Sequence, residues 1–196
     1  MHINSHFAVG IIIASFLNFY LEFELIEFLL VLSFSFICDF DVLFAKFAKD
    51  NNHRMLITHS IIPSVIIIFI GSIFHWVTLI ISGFAYLIHI VIDTIDWGTN
   101  FFYFNHKQVG FKLLISKEEF NNLSQYLSKY KNPASFFDYK YYNNKVCLVS
   151  EVLLFIFMWV FILIFALHFV LTALIYFLGM YFHLSRHFYL KKIEAE

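Results

Sequence analysis

Charge is scarce in this sequence, and so is cysteine. Asp, Glu, Lys and Arg make up 14% of the chain, against 61% hydrophobic residues and a mean hydropathy of +0.77. A soluble domain with that balance would have too little polar surface to cover itself, so the water-soluble classes are excluded and the chain reads as an integral membrane protein. Two cysteines, Cys38 and Cys147, are too few for a disulfide framework. Basic residues are missing ahead of the first apolar stretch. The opening MHINSH lacks the basic n-region of a signal peptide, so its helix is expected to stay in the mature protein. The formal net charge of −1 gives no whole-chain attraction to nucleic acid, and none is expected as a partner.

What is present is a series of apolar runs. They span about residues 7–20, 25–47 (interrupted by CDFD), 57–76 and 77–95, the last two joined by a tight hairpin near His75. Roughly 20 residues cross a bilayer, so these make four spans, the first of them short. Residues 99–144 form the one extended polar region. Within it, SKEEFNNLSQYLSKY opens with Ser116 and Glu119 at capping-box spacing and sets Phe120, Leu123, Leu127 and Tyr130 on one helical face. Flanked by lysines, it reads as an amphipathic helix in the membrane interface, ended by KNP. The run from about 151 to 182 reads as one long tilted or bent helix, with a broken hairpin as the alternative, and the tail after it as partly disordered. The expected fold is all-α: a polytopic helix bundle with about five transmembrane helices and one interfacial helix. Three regions follow: a four-helix core over 1–98, a polar region over 99–148, and a last span with a basic tail over 149–196.

Loop charge suggests an orientation. The loop after the first run carries Glu22, Glu24 and Glu27 and no basic residue. The next carries Lys46, Lys49 and Arg54, and residues 99–148 hold seven lysines. The positive-inside rule puts the N-terminus, the second loop and the polar region in the cytoplasm. A basic tail beyond a single last span would lie outside, which fits the rule less well.

On that topology the polar residues fall together. His6 starts the first helix, Asp39 and Asp41 end the second, His53 follows in the loop, His59 starts the third, and His89 and Asp93 end the fourth. In an up-down-up-down bundle, starts of odd helices and ends of even helices share one face. His89 and Asp93, at i and i+4, leave one side of their helix. Asp39 and Asp41 are two apart, so either the helix unwinds there or one of them alone reaches the site. Intramembrane acids and histidines are costly, and imidazole and carboxylate suit Zn²⁺, Mn²⁺ or Fe²⁺. Asp96 is expected to face water or cap a turn; His2, His75 and His168 are set aside as off this face or deep in a helix. An internal echo runs between SHFAVGIIIA and THSIIPSVIII: each begins a helix with a hydroxyl residue and His, and an acid follows about 33 residues later, Asp39 or Asp93.

The motifs SHFAVG, CDFDVL, HRMLITHS and HIVIDTIDWG, in that order and at helix ends, resemble those of a family of membrane-bound metal-dependent hydrolases, the LexA-binding inner-membrane type. That family's pattern is an N-terminal His before Gly, a PDxD segment, an HRxxTHS-like segment and an HxxxD segment. They correspond here to His6 with Gly10, Asp39 and Asp41, His53 with Arg54 and Thr58-His59-Ser60, and His89 with Asp93. Cys38 stands where the family usually has proline, and HRMLITHS has one more residue between Arg and Thr. The resemblance covers about the first hundred residues and implies hydrolysis with a metal cofactor.

The resulting expectation is a plasma- or inner-membrane enzyme with its centre at the cytoplasmic face. His6, Asp39, His59, His89 and Asp93 bind one or two divalent ions, zinc foremost and manganese or iron as alternatives. Asp41 acts behind a histidine or as a bridging ligand. His53 or Arg54 meets the substrate, a lipid or phosphorylated amphiphile, Arg54 being suited to a phosphate or carboxylate. Two rival readings stay open: a cation or proton transporter using the cluster, and a non-catalytic adaptor with a structural metal. Nothing in the sequence sets the oligomeric state.

Overall fold

A computed structural model describes residues 3–48, 52–104 and 107–196, so that His2 and Lys49 lie outside the described residues. Those residues form an all-α bundle. Its elements are α1 (Ile3–Leu21), α2 (Leu25–Phe34), a 3₁₀ segment (Ile37–Phe47), two 3₁₀ turns (His53–Met55 and Ile57–His59), α3 (Ile61–Ile73), α4 (Val77–Asp96), the short α5 (Lys117–Asn121) and α6 (Leu123–Leu127), α7 (Pro133–Tyr142), α8 (Lys145–Phe165), a 3₁₀ turn (Leu167–Thr172) and α9 (Ala173–Ala195). Among the described residues four helices are long and apolar enough to cross a membrane: Ile3–Leu21, Val77–Asp96, Lys145–Phe165 and Leu167–Ala195. Counting α2 and its 3₁₀ continuation, bent by 41°, as one span gives five, and α3 is shorter. These apolar helices fit an integral membrane protein. The outward side of α8 shows it most plainly: Val149, Val152, Leu153, Ile156, Val160, Leu163 and Ile164 are all exposed, as suits a lipid-facing surface.

α1 is the axis of the bundle. It packs against α2 on one side and against α8 and α9 on the other, while α4 bridges α2 and α3. Phe7, Ala8, Ile11 and Ala14 of α1 meet Phe28, Val31 and Leu32 of α2 and Met158, Ile162 and Tyr176 of the C-terminal helices in one buried core. Small residues set how closely the helices approach. A Cβ on Gly10 would fall 2.1 Å from Ser35 Oγ and 2.8 Å from Ser35 Cβ. The α3–α4 hairpin is as tight as expected, with His75 in the left-handed region at φ 52°.

Three features depart from the sequence reading. The last apolar run is the broken hairpin rather than one long helix: α8 ends at Phe165, where Asn18 of α1 donates to its last carbonyl at 3.0 Å, and α9 returns. His168 therefore sits exposed in the turn, not deep in a helix. The tail is helical through Ala195 because it docks on α7, with His187 Nδ1 bonded to Asp138 at 2.6 Å and Glu194 accepting from the Lys131 and Asn132 backbone N–H groups. The amphipathic segment is two short helices instead of one. It breaks at Asn122, whose side chain donates to the Glu118 carbonyl, a local bond that competes with helix continuation.

Gly10→Ala tests whether the α1–α2 approach is fixed by size. The added methyl should overpack the contact and lower stability by about 1–3 kcal/mol. Thermal unfolding in detergent should show a lower midpoint; an unchanged or raised midpoint would mean that the contact yields.

Candidate metal centre

The site is built where helices end or break. α2 stops at Ser35, whose hydroxyl donates to the carbonyls of Leu32 (2.7 Å) and, across the Gly10 contact, His6 (3.0 Å). The chain then winds as 3₁₀ for eleven residues, far beyond the usual three or four. At three residues per turn side chains two apart differ in direction by about 120° rather than the roughly 160° of an α-helix, so the helix tightens instead of unwinding and both acids reach His59, on different sides of its ring. Asp39 Oδ1 lies 3.9 Å from His59 Nε2, whereas Asp41 Oδ2 accepts from His59 Nδ1 at 2.7 Å.

The five expected ligands converge. His59 Nε2 is 3.3 Å from Asp93 Oδ2, His89 Nε2 is 3.6 Å from the same oxygen and 3.5 Å from Asp39 Oδ1, and His6 Nε2 is 3.5 Å from Asp93 Oδ1. The His6 and His89 rings stack at 3.7 Å. These separations are long for hydrogen bonds. They are close to the roughly 3.3–3.4 Å between neighbouring donors that follows from tetrahedral Zn–N bonds of about 2.0–2.1 Å. The Nε2 atoms of His6, His59 and His89 are buried without a hydrogen bond of acceptable geometry. Two of the histidines are held in the tautomer a cation needs. His89 Nδ1 must donate to the Ser35 carbonyl (2.7 Å), and His59 Nδ1 donates to Asp41, which leaves each Nε2 its lone pair. Three overlapping groups could each hold a metal ion: His6, Asp39, His89 and Asp93; Cys38, His59 and His89; and Asp41, His53 and His59.

A second layer fixes the first. Asp41 accepts from His59, from His53 Nδ1 at 2.9 Å and from the Thr58 hydroxyl. Arg54 Nη2 reaches Asp93 Oδ1 at 3.2 Å, and its Nη1 reaches Asp96 Oδ1 at 2.9 Å. Burial opposes the guanidinium's charge, but Asp93 and Asp96 outweigh it and raise its pKa above the ordinary value. The His59 pKa is raised too: burial opposes its charge, and the neighbouring Asp41 and Asp93 carboxylates prevail, so that Nε2 takes up either a proton or, in its place, a cation. Thr99 Oγ1 donates to the His59 carbonyl at 2.6 Å, and the Asn100 N–H to that of Arg54 at 3.1 Å, stapling the 53–60 loop to the chain just past α4.

Every candidate from the sequence thus lies in one cluster, with His53 (25% exposed) and Asp39 (18%) on its open side and the rest closed off. Asp96 is a correction: it is buried and bonded to Arg54 rather than turned to water. Arg54 is directed at the two acids. The sequence reading also passed over Cys38, buried with its sulfur within 4.8 Å of His59 and His89 ligand atoms, and the Ser35 carbonyl. It missed a polar brace on the start of α1 as well: Ser5 donates to Glu151 at 3.2 Å, Tyr141 donates to the same oxygen at 2.5 Å, and Asn4 pairs with His183 at 3.2 Å. The one signal for that brace was Glu151, a lone acid opening a long apolar run.

Compared with protein-family models, curated proteins and solved structures, the chain matches none.

If Arg54 is the counter-charge for Asp93 and Asp96, Arg54→Met should leave both acids uncompensated and destabilise the fold by about 3–5 kcal/mol. Adding Asp96→Asn should recover part of that loss. Thermal unfolding of the single and double variants checks it; a single variant as stable as wild type would contradict the assignment.

Proposed function

We propose that this chain is a membrane-embedded, metal-dependent hydrolase whose centre opens at the cytoplasmic face of the plasma or inner membrane. The convergence of three buried imidazole Nε2 atoms, those of His59 and His89 directed inward by the bonds at their Nδ1 atoms, with Asp39 and Asp93 carries the reading. The motif resemblance, carried by the same residues, agrees with it. Asp93 and Asp96 share the Arg54 guanidinium, whereas Asp39 and Asp41 lie against histidines, and an uncompensated buried charge costs several kcal/mol. A divalent cation offsets that excess. Borderline donors of this kind favour zinc, with manganese or iron as alternatives, and the overlapping donor groups leave room for one ion or two.

His6, Asp39, His59, His89 and Asp93 would hold the metal, which when bound supplies Lewis acidity and eases the deprotonation of water. Asp41 orients His59 by accepting from its Nδ1, which leaves Nε2 as the atom that would meet the metal. Arg54 holds the Asp93 carboxylate in place, so it is a positioning residue rather than a substrate clamp. His53, on the open side with its Nδ1 committed to Asp41, can hold or move a proton at Nε2. Charge supports the sidedness. With α9 returning to dock on α7, the basic tail (Arg186, Lys191, Lys192) joins residues 99–148 on the side of the centre, which removes the misfit with the positive-inside rule. A site at helix ends favours a lipid or phosphorylated amphiphile as substrate. The closure of His6, His59, His89 and Asp93 favours a second reading, a structural metal in an adaptor.

Hydrolysis of phosphomonoester and phosphodiester amphiphiles by detergent-purified, metal-loaded protein separates the two. The enzyme reading predicts chelator-sensitive turnover, which His53→Gln lowers about 10²–10⁴-fold while metal content stays at the wild-type level. Turnover indistinguishable from that of His59→Ala, with metal fully bound, would leave the structural-metal reading.

A further inference from the structure

Past α4 the chain makes a groove of about 500 Å³, whose wall includes Lys107, Lys112, Lys117, Phe111 and Phe120, and no acid among the described residues lines it. Its backbone is fixed rather than loose. Thr99 and Val109 exchange both hydrogen bonds (3.1 and 2.8 Å), and the Leu113 and Leu114 N–H groups cap the Ile95 and Asp96 carbonyls at the end of α4. Gly110, at φ 142°, lies so close to α4 that a Cβ would fall 2.0 Å from the Thr94 carbonyl oxygen. Only glycine satisfies both demands. Three cations are thereby held around one concavity at a membrane-spanning helix's end. Lys112 stacks its ammonium over Phe120 at 3.4 Å and leans on Gly98, two residues beyond Asp96. Of the two acids that follow Lys117, Glu118 accepts from the Tyr126 hydroxyl at 3.4 Å and Glu119 pairs with Lys140 at 2.5 Å and accepts from the Ser116 N–H.

The surroundings indicate what such a groove meets. Phe102, Phe104, Phe111 and Leu113 project from the same segment and are exposed, Phe111 at 88%. Aromatic side chains at the end of a spanning helix sit at headgroup level, where the ring body is in the acyl boundary and nearby lysines reach phosphate. A solvated loop would have no use for four exposed apolar side chains around three lysines. In the interface the same arrangement is complementary in both charge and polarity to one object.

We propose that this groove binds the phosphate headgroup of an anionic phospholipid, with Lys107, Lys112 and Lys117 as its cationic contacts and Phe111 and Phe120 against the glycerol and upper acyl chain. The site does not rest on the metal reading. It adjoins the end of α4 through Gly98, two residues beyond the buried Asp96.

The test uses the full chain reconstituted in phosphatidylcholine bilayers with a minor fraction of spin-labelled phosphatidic acid or, in parallel, spin-labelled phosphatidylcholine. The readout is the motionally restricted fraction of each. Wild type should retain phosphatidic acid preferentially, and replacing each groove lysine by glutamine should cut that preference about fivefold, the effect expected per lysine at a charged membrane surface. K107Q/K112Q/K117Q should abolish it; K107Q/K117Q, which alters exposed residues alone, covers the case in which the triple variant fails to fold. The control K129Q/K131Q/K145Q removes the same charge elsewhere and should retain the preference. Equal retention of both lipids by wild type would overturn the proposal, as would equal loss in the control variant, which would mean diffuse charge. Displacement of the label by inorganic phosphate at constant ionic strength would assign the groove to a soluble phosphate and overturn the lipid assignment.

Discussion

The ion pair between Arg54 and Asp93 is the constraint around which the rest of this molecule is arranged. Asp93 is fully buried near the end of an apolar helix, and a carboxylate there needs compensation from several directions. Arg54 supplies it from the 53–60 loop, and three imidazoles from α1, the loop before α3 and α4 itself surround the remaining space. Each comes from a different part of the sequence. The carboxylate therefore fixes the register of α1 against α4 and draws the 53–60 loop down onto the bundle, where Thr99 and Asn100 staple it.

Local irregularities let the helices deliver those groups. A regular helix through Ile37–Phe47 would carry Asp39 and Asp41 to positions unsuited to reaching both nitrogens of His59, and the 3₁₀ winding does reach both. The end of α2 at Ser35 exposes a carbonyl that sets the His89 tautomer, and Gly10 makes the room that Ser35 requires. The brace from Glu151, Tyr141 and His183 onto Ser5 and Asn4 ties the first turn of α1, and so His6, to the C-terminal hairpin. The last two helices are thus not an appendage to the core of residues 1–98; they help hold one of its ligands.

The helical bundle and the five converging donors were legible in the sequence because both follow from hydrophobic runs and from the alternation of helix direction. Those arguments need no side-chain detail. What was not legible depended on contacts between distant residues. The turn Leu167–Thr172 contains no charge, Gly or Pro, so nothing in the run marks it; its cap is Asn18, far away in sequence. Asp96 looks like a water-facing helix end until Arg54 is brought over it. Cys38 reads as one more apolar residue until His59 and His89 approach. The helical tail depends on Asp138 and the α7 N-terminus, and the break at Asn122 on one side-chain bond that propensity alone does not decide.

The central claim is that a cation, not only Arg54, balances the buried acids. Elemental analysis of the full chain, purified in mild detergent without chelator, beside His89→Ala, addresses it directly. The account predicts zinc, manganese or iron in stoichiometric amount in wild type and a clear fall in the variant. No metal above background in wild type, even after incubation with divalent ions, would contradict it, and the cluster would then have to be explained as a proton-bearing hydrogen-bond network.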